Sequence, residues 1–393
     1  MTVRRFGPYF PRIFAAAILE EMAFALFIHF PGYLSGLGAT EGLIGVLYAV
    51  SAVIGLSLRP ALGKILDRTH RRTVILVTGA LNAAAIVLLV TTSVWGPLLW
   101  GLFLVQRIMQ LALFTTMLTY IADSIPVETR THGLAIFGLS GLIPIGVSGY
   151  LGDVVVANAG FDGLFWMAAT LSALSFVVVW SLPALPVRGS QPRRSFWAAM
   201  AQIDLLPLWF ATLLFSVGLE TLFTFTRTYV DARQVGSAGA FFGFYGLVAA
   251  ATRILGGRFY DRIPHRPLLV TSIAIYGIGL GVMAFAGSTV ALLLAAVAAG
   301  SAHGAAFPLL SSEVVNRARI SERGSAMSVF TSIFDIALLL GAPAVGFIIE
   351  GFDYLVAFSA TGVALLAGAV VYGFWDRRLV ERSETLVREE ALE

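Results

Sequence analysis

The stretch Gly63-Lys64-Ile65-Leu66-Asp67-Arg68-Thr69-His70-Arg71-Arg72 decides the fold. It lies between two long apolar runs and gathers Lys64, Arg68, Arg71 and Arg72 around one acid, Asp67. A connection between two membrane spans needs few residues, so a charge cluster this dense asks for a reason. The stretch also has a twin, GRFYDRIPHR, from Gly257 to Arg266. An offset of 194 residues links Gly63 to Gly257, Asp67 to Asp261, Arg68 to Arg262 and Arg72 to Arg266. The same offset links Arg59 to Arg253. In a chain of 393 residues that is about half the length, so the chain reads as two copies of one half.

Composition places those copies in a bilayer. Hydrophobic residues make up 58%, charged residues 12%, and the mean hydropathy is +0.85, whereas a soluble domain carries about 25% charge. About 20 predominantly apolar residues cross a bilayer as a helix. Twelve such runs are present: 12–35, 42–63, 73–94, 97–121, 133–156, 163–183, 205–231, 238–259, 267–287, 289–314, 325–349 and 354–376. The first is too long, and lacks the small-residue cleavage site, to read as a cleaved signal peptide. Of the 26 Lys and Arg residues, 21 fall on one side if both termini are placed there. Positive residues mark the cytoplasmic side, so both termini are expected in the cytoplasm of an inner membrane. The net charge of +3 follows from that placement and does not point to nucleic acid. There is no cysteine, hence no disulfide, thiol chemistry or thiolate metal site.

Against this background the polar residues inside the runs stand out. A charge at the centre of a membrane helix costs at least about 2.5–3.5 kcal/mol, and by default it marks a substrate or ion pathway with a partner nearby. Glu20 and Glu21 lie about eight residues into helix 1, about 12 Å deep, and point about 100° apart. His29 lies further out on the same helix. Arg107 and Gln110 sit in helix 4, Glu220 and Arg227 in helix 7, His303 in helix 10 and Asp335 in helix 11. Phe24, Phe114, Phe223 and Phe307 come from the same set of helices, although most aromatics in a membrane protein face lipid or packing. The glycines of helix 5 suit close helix approach as well as flexing. Asp123 and Glu313 close helices 4 and 10 on the side of the loop motifs.

These residues resemble the major facilitator superfamily. Its loop signature, G-x-x-x-D-[RK]-x-x-[RK]-[RK], is matched by Gly63, Asp67, Arg68, Arg71 and Arg72, with a second copy in Gly257, Asp261, Arg262 and Arg266. The motif falls between helices 2 and 3 and again between 8 and 9, and the resemblance covers the whole chain. It implies an all-α integral membrane fold of twelve helices in two pseudo-symmetric six-helix bundles. It also implies a central cavity lined mainly by helices 1, 4, 7 and 10, and transport by rocking of the halves about a midplane site. Arg107 and Gln110 fit the R-x-x-Q-G pattern of drug–proton antiporters, but Leu111 replaces the glycine. The helix 5 signature of antiporters, G-P-x-x-G-G, is missing.

The expected organisation is a first bundle at 1–183, a linker at 184–203, a second bundle at 204–376 and a charged tail at 377–393. Four functions compete: proton-coupled export of a small organic molecule, uptake by symport, lipid or lysolipid translocation, and a non-transporting membrane enzyme or sensor. The last is poor, because no nucleophile elbow, metal triad or phosphate loop is present, and no cofactor is expected. Export leads, on Glu20 or Glu21 paired with Arg107 as the proton-carrying unit. Glu220, Asp335 and His303 are further coupling candidates. Phe24, His29, Gln110, Phe114, Phe223, Arg227 and Phe307 are the cavity candidates. Asp67 is expected to gate the cytoplasmic end against helix 11, in a charge network with Asp123 and the loop arginines, and Glu313 to serve Asp261 in the same way. The partners expected are a small-molecule substrate, protons and lipid, around a monomer.

Overall fold

The computed structural model describes residues 6–126, 133, 136–185, 196–260, 263–319 and 322–390. Asp261, Arg262 and the side chain of Asp67 lie outside what is described. Among the described residues twelve helices cross: α1 (Phe10–Gly36), α2 (Glu41–Arg68), α3 (Arg71–Leu89), α4 (Pro97–Ser124), α5 (139–159), α6 (161–180), α7 (Leu206–Arg233), α8 (Ala238–Tyr260), α9 (His265–Ala284), α10 (Thr289–Arg317), α11 (Arg323–Gly351) and α12 (Tyr354–Glu390). α5 and α6 run through one continuous 42-residue stretch, Leu139–Trp180, broken only at Gly160. There φ is +65° and ψ −169°, a conformation that glycine reaches without a Cβ penalty. At about 1.5 Å per residue the stretch is twice the length one crossing needs, so a single glycine replaces the loop.

Local chemistry sets the other ends. Pro11 and Pro97 open α1 and α4, where a missing N–H is harmless. Thr40 caps α2 by accepting from Leu43 N at 3.3 Å, and Ser288 caps α10 by accepting from Ala291 N at 3.2 Å. α1 tightens to a 3₁₀ turn over Leu26–His29, just before Pro31. α12 continues as helix well past the expected end of the last crossing.

The first bundle packs α1 on the α5–α6 pair and α3 on α4 and α6. The second packs α9 on α10 and α12, and α8 on α10. Two seams join the bundles, α2 with α11 and α5 with α8. Their tightest contacts lie at the end opposite the termini, here called the far end. Gly45 of α2 rests against Ala342 and Pro343, and Gly346 of α11 against Glu41 and Gly42. Gly246 of α8 lies on the Gly146 backbone, and Gly239 on Gly149 and Asp153. A Cβ at any of these four would overlap the partner helix. Close backbone approach through small residues is how helices associate when lipid removes the hydrophobic driving force. α1 reaches α7 through its outer part, Leu26–Gly36.

Candidate functional site

Between the seams, at mid-depth, polar side chains converge from both bundles. The guanidinium of Arg107 on α4 lies 5.1 Å from the ring centre of Phe24 on α1 and 5.5 Å from that of Tyr48 on α2. Cation–π contact holds the charge without neutralising it. Glu220 on α7 and Asp335 on α11 both stand within electrostatic reach of this arginine. Glu21 accepts a hydrogen bond from Gln110 Nε2 at 3.3 Å. Arg107, Phe24, Glu21, Glu220 and Asp335 keep part of their surface open, Tyr48 and Gln110 are buried, and Phe114 is exposed. The result is a band with one stacked cation on the first bundle and carboxyls on α1, α7 and α11.

The expected pairing of Arg107 with Glu20 or Glu21 does not form. Among the described residues neither glutamate is within ion-pair distance of it. Glu20 turns the other way, into the first bundle, where it accepts from Asn82 Nδ2 at 2.7 Å and from Ser172 Oγ at 3.1 and 3.2 Å. The 100° step between adjacent helical residues puts one acid on the cavity side and the other inside the bundle.

Asp335 is held by Arg59 of α2, with Nε at 2.7 Å and Nη2 at 2.6 Å from Oδ2. Arg59 also donates to Thr331 Oγ1 at 3.4 Å and Thr331 O at 3.5 Å. This ion pair bridges the two bundles. Its repeat partner, Arg253 of α8, donates to Gly138 O at 3.3 Å and lies 5.5 Å from the Phe307 ring centre.

His303 is buried in the second bundle, bonded through Nδ1 to Tyr245 Oη at 2.7 Å and packed on Phe215. Phe223 and Phe307 pack against Tyr245 and Phe334 respectively, so both lie in an aromatic cluster around His303.

His29 and Arg227 meet at the far end. Arg227 Nη1 donates to His29 Nδ1 and to Asp153 Oδ1, both at 3.1 Å, and its Nε donates to Asp231 at 2.8 Å. His29 Nδ1 accepts, so its Nε2–H donates to Gly149 O at 2.9 Å. Asp153 also accepts from Gly239 N at 2.7 Å. The network ties α1 and α5 to α7 and α8, so these two residues belong to an interbundle clamp rather than to the mid-depth band.

At the end bearing the termini, Arg71 pairs with Asp123 at 3.2 Å and donates to Leu66 O at 2.7 Å. Arg72 donates to Trp180 O at 2.7 Å. Gly63 is buried, Arg68 is exposed, and Arg266 opens α9. In the second half, His265 takes the position of Arg71 and bonds Glu313 at 2.7 Å; Arg317 holds the same carboxylate at 2.8 Å. Gly257 lies near the end of α8. Sequence reasoning passed over Arg59, Asp153, Asn82, Ser172, Tyr48 and His265 as site residues. The repeat offset, which links Arg59 to Arg253 and Arg71 to His265, and the charge of Asp153 inside an apolar run were the available signals; neutral Asn, Ser and Tyr in apolar helices give none.

Comparison with known proteins matches the chain to the family model for the Major Facilitator Superfamily over residues 13–268 and 232–391. An uncharacterised MFS-type transporter of Salmonella typhimurium is 27% identical over 92% of this chain and 95% of its own length. The staphylopine export protein of Staphylococcus aureus is 25% identical over 79% of this chain and 81% of its own. Among solved structures, a point mutant of the nucleoside transporter NupG superposes with a TM-score of 0.77 at 15% identity, over 94% of this chain and 99% of that one.

Proposed function

The chain belongs to the Major Facilitator Superfamily and is a secondary transporter of that type, not an enzyme; from this premise we propose that it exports a small amphipathic organic molecule in exchange for protons. One arrangement carries the reading. Arg107 is fixed on the first bundle between two rings, while Glu220 and Asp335 are carried by the second. Burial favours the neutral form of a carboxyl and a nearby guanidinium favours the charged form. Rocking the bundles changes the separation of these groups, and so exchanges a bound proton for a free one. Glu21, on the same bundle as Arg107, offers the substrate a carboxyl beside the aromatic faces of Phe24 and Tyr48. Apolar walls with few polar groups suit an amphipathic compound. The name of the Staphylococcus aureus relative supports the outward direction.

In this reading a monomer sits in the inner membrane with both termini in the cytoplasm. The far-end clamp then seals the periplasmic side, and Asp67 gates the cytoplasmic side in the opposite state. Proteoliposomes with an imposed pH gradient and a substrate panel test it. Glu220→Gln is expected to abolish pH-driven flux while counterflow of substrate persists, and Glu21→Gln to weaken both. Full proton-driven transport in both variants would overturn the assignment, and substrate moving with the proton would establish uptake instead.

A further inference from the structure

Glu20 is 1% exposed, and none of its hydrogen-bond partners is charged. Asn82 and Ser172 beside it are fully buried, and Ser175 stands next to them on α6. Among the described residues the one charged group near it is Glu21, an anion like itself. A bare carboxylate cannot persist in such a place, because isolated burial of its charge far outweighs what two neutral donors return. The amide of Asn82 adds a second observation. Its Nδ2 donates to Glu20, while its buried Oδ1 has no hydrogen-bond partner. A half-turn of that amide would direct an oxygen at the carboxylate, which repels it unless a positive charge lies between them.

We infer that Glu20, Asn82 and Ser172 form a buried site for one small monovalent cation, a proton or a sodium ion, inside the first bundle and apart from the central band. With the Asn82 amide turned by half a turn, the donor set is all oxygen: two from the carboxylate, Oγ of Ser172 and Oδ1 of Asn82. Carboxylate, carbonyl and hydroxyl oxygens suit a hard cation. The three residues come from α1, α3 and α6, so the site depends on the packing of one bundle and not on the seams. Filling it removes a negative charge directly behind Glu21, and that would tune the cavity acid without any contact with substrate. The site stands whether or not the transport reading does.

Infrared difference spectroscopy of the purified protein, read at the carboxylic-acid C=O stretch, tests the site. Acidification without sodium is expected to produce a band that is absent in Glu20→Gln and retained in Glu21→Gln. If sodium is the ligand, adding NaCl removes the band where KCl does not, and raises the thermal unfolding temperature of the wild type alone. If the proton is the ligand, the band ignores both salts. Ser172→Ala, which keeps the carboxyl and is the milder change, should shift the midpoint by about tenfold in proton or sodium activity, the loss of one direct partner to a charged group. A wild type with neither a band dependent on Glu20 nor a sodium response would overturn the inference. Loss of flux in Glu21→Gln with the Glu20 band intact would test the central band alone.

Discussion

The α2–α11 and α5–α8 seams join the same two bundles on opposite sides, and their far ends follow one plan. Gly45 of α2 and Gly239 of α8, separated by the repeat offset, each lay backbone against the facing helix. Past mid-depth the seams part. On α11, Arg59 finds the Thr331 carbonyl and, one turn on, the carboxylate of Asp335. On α5, Arg253 finds the Gly138 carbonyl and, one turn on, the chain offers Gly141 and Leu142. Both seams keep this glycine packing, and the repeat offset pairs Asp335 of α11 with Gly141 of α5. A glycine contact depends only on shape, so both copies keep it. A carboxylate also depends on the charges around it, so one copy can differ.

The largest effect should come from that pair. Asp335→Asn leaves Arg59 charged against a neutral amide. Removing one partner of a fully buried pair costs about 3–5 kcal/mol. Here the side chains are 24% and 18% exposed, so about 2 kcal/mol is expected, with transport falling at least about tenfold. Thermal unfolding and flux for Arg59→Gln, Asp335→Asn and the double variant form a cycle. The double variant should recover part of the loss, and strict additivity would break the contrast between the seams.

A smaller effect should come from making the seams alike. A Cβ at Gly141 would meet nothing within 4 Å, so Gly141→Asp has room one turn from the Arg253 acceptor. The new carboxylate is expected to strengthen the α5–α8 seam by about 0.5–1 kcal/mol and to slow turnover several-fold. The chain has no cysteine, so a cysteine pair introduced across the seam reports its opening without background. Unchanged opening kinetics would show that this seam does not limit the cycle.

The smallest effect separates the halves at the end bearing the termini. In the first half a guanidinium, Arg71, meets Asp123, whereas in the second an imidazole, His265, meets Glu313. His265→Arg gives the second half the guanidinium of the first, and should change stability by less than about 1 kcal/mol and the accessibility of cysteines placed at this end by about twofold. Accessibility identical to the wild type would show that the imidazole plays no part in closing this end.

How far the site could be read in advance varied with the residue. The charged loop residues were found because the repeat marked them, and one of them, Arg71, pairs with Asp123. Charges within apolar helices were found because the bilayer makes them conspicuous. Their partners were not. Equal depth on helices 1 and 4 suggested Glu20 or Glu21 with Arg107, but depth does not say which way a side chain turns. Glu20 faces Asn82 and Ser172, while Arg107 prefers the rings of Phe24 and Tyr48. His29 and Arg227 were assigned to the cavity from their helices, yet they reach across the far end to Asp153.

From the amino-acid order alone came the membrane setting, the twelve crossings and the duplication. These rest on hydropathy and spacing, which are properties of one chain read along its length. Which acids share a cation, which glycines touch and where the two halves clamp are decided by helix rotation and by the approach of residues far apart in sequence. Arg59 and Asp335 are 276 positions apart, and Glu20 and Ser172 are 152. No local pattern carries such pairings, because each is a compromise among all the helices packed around it.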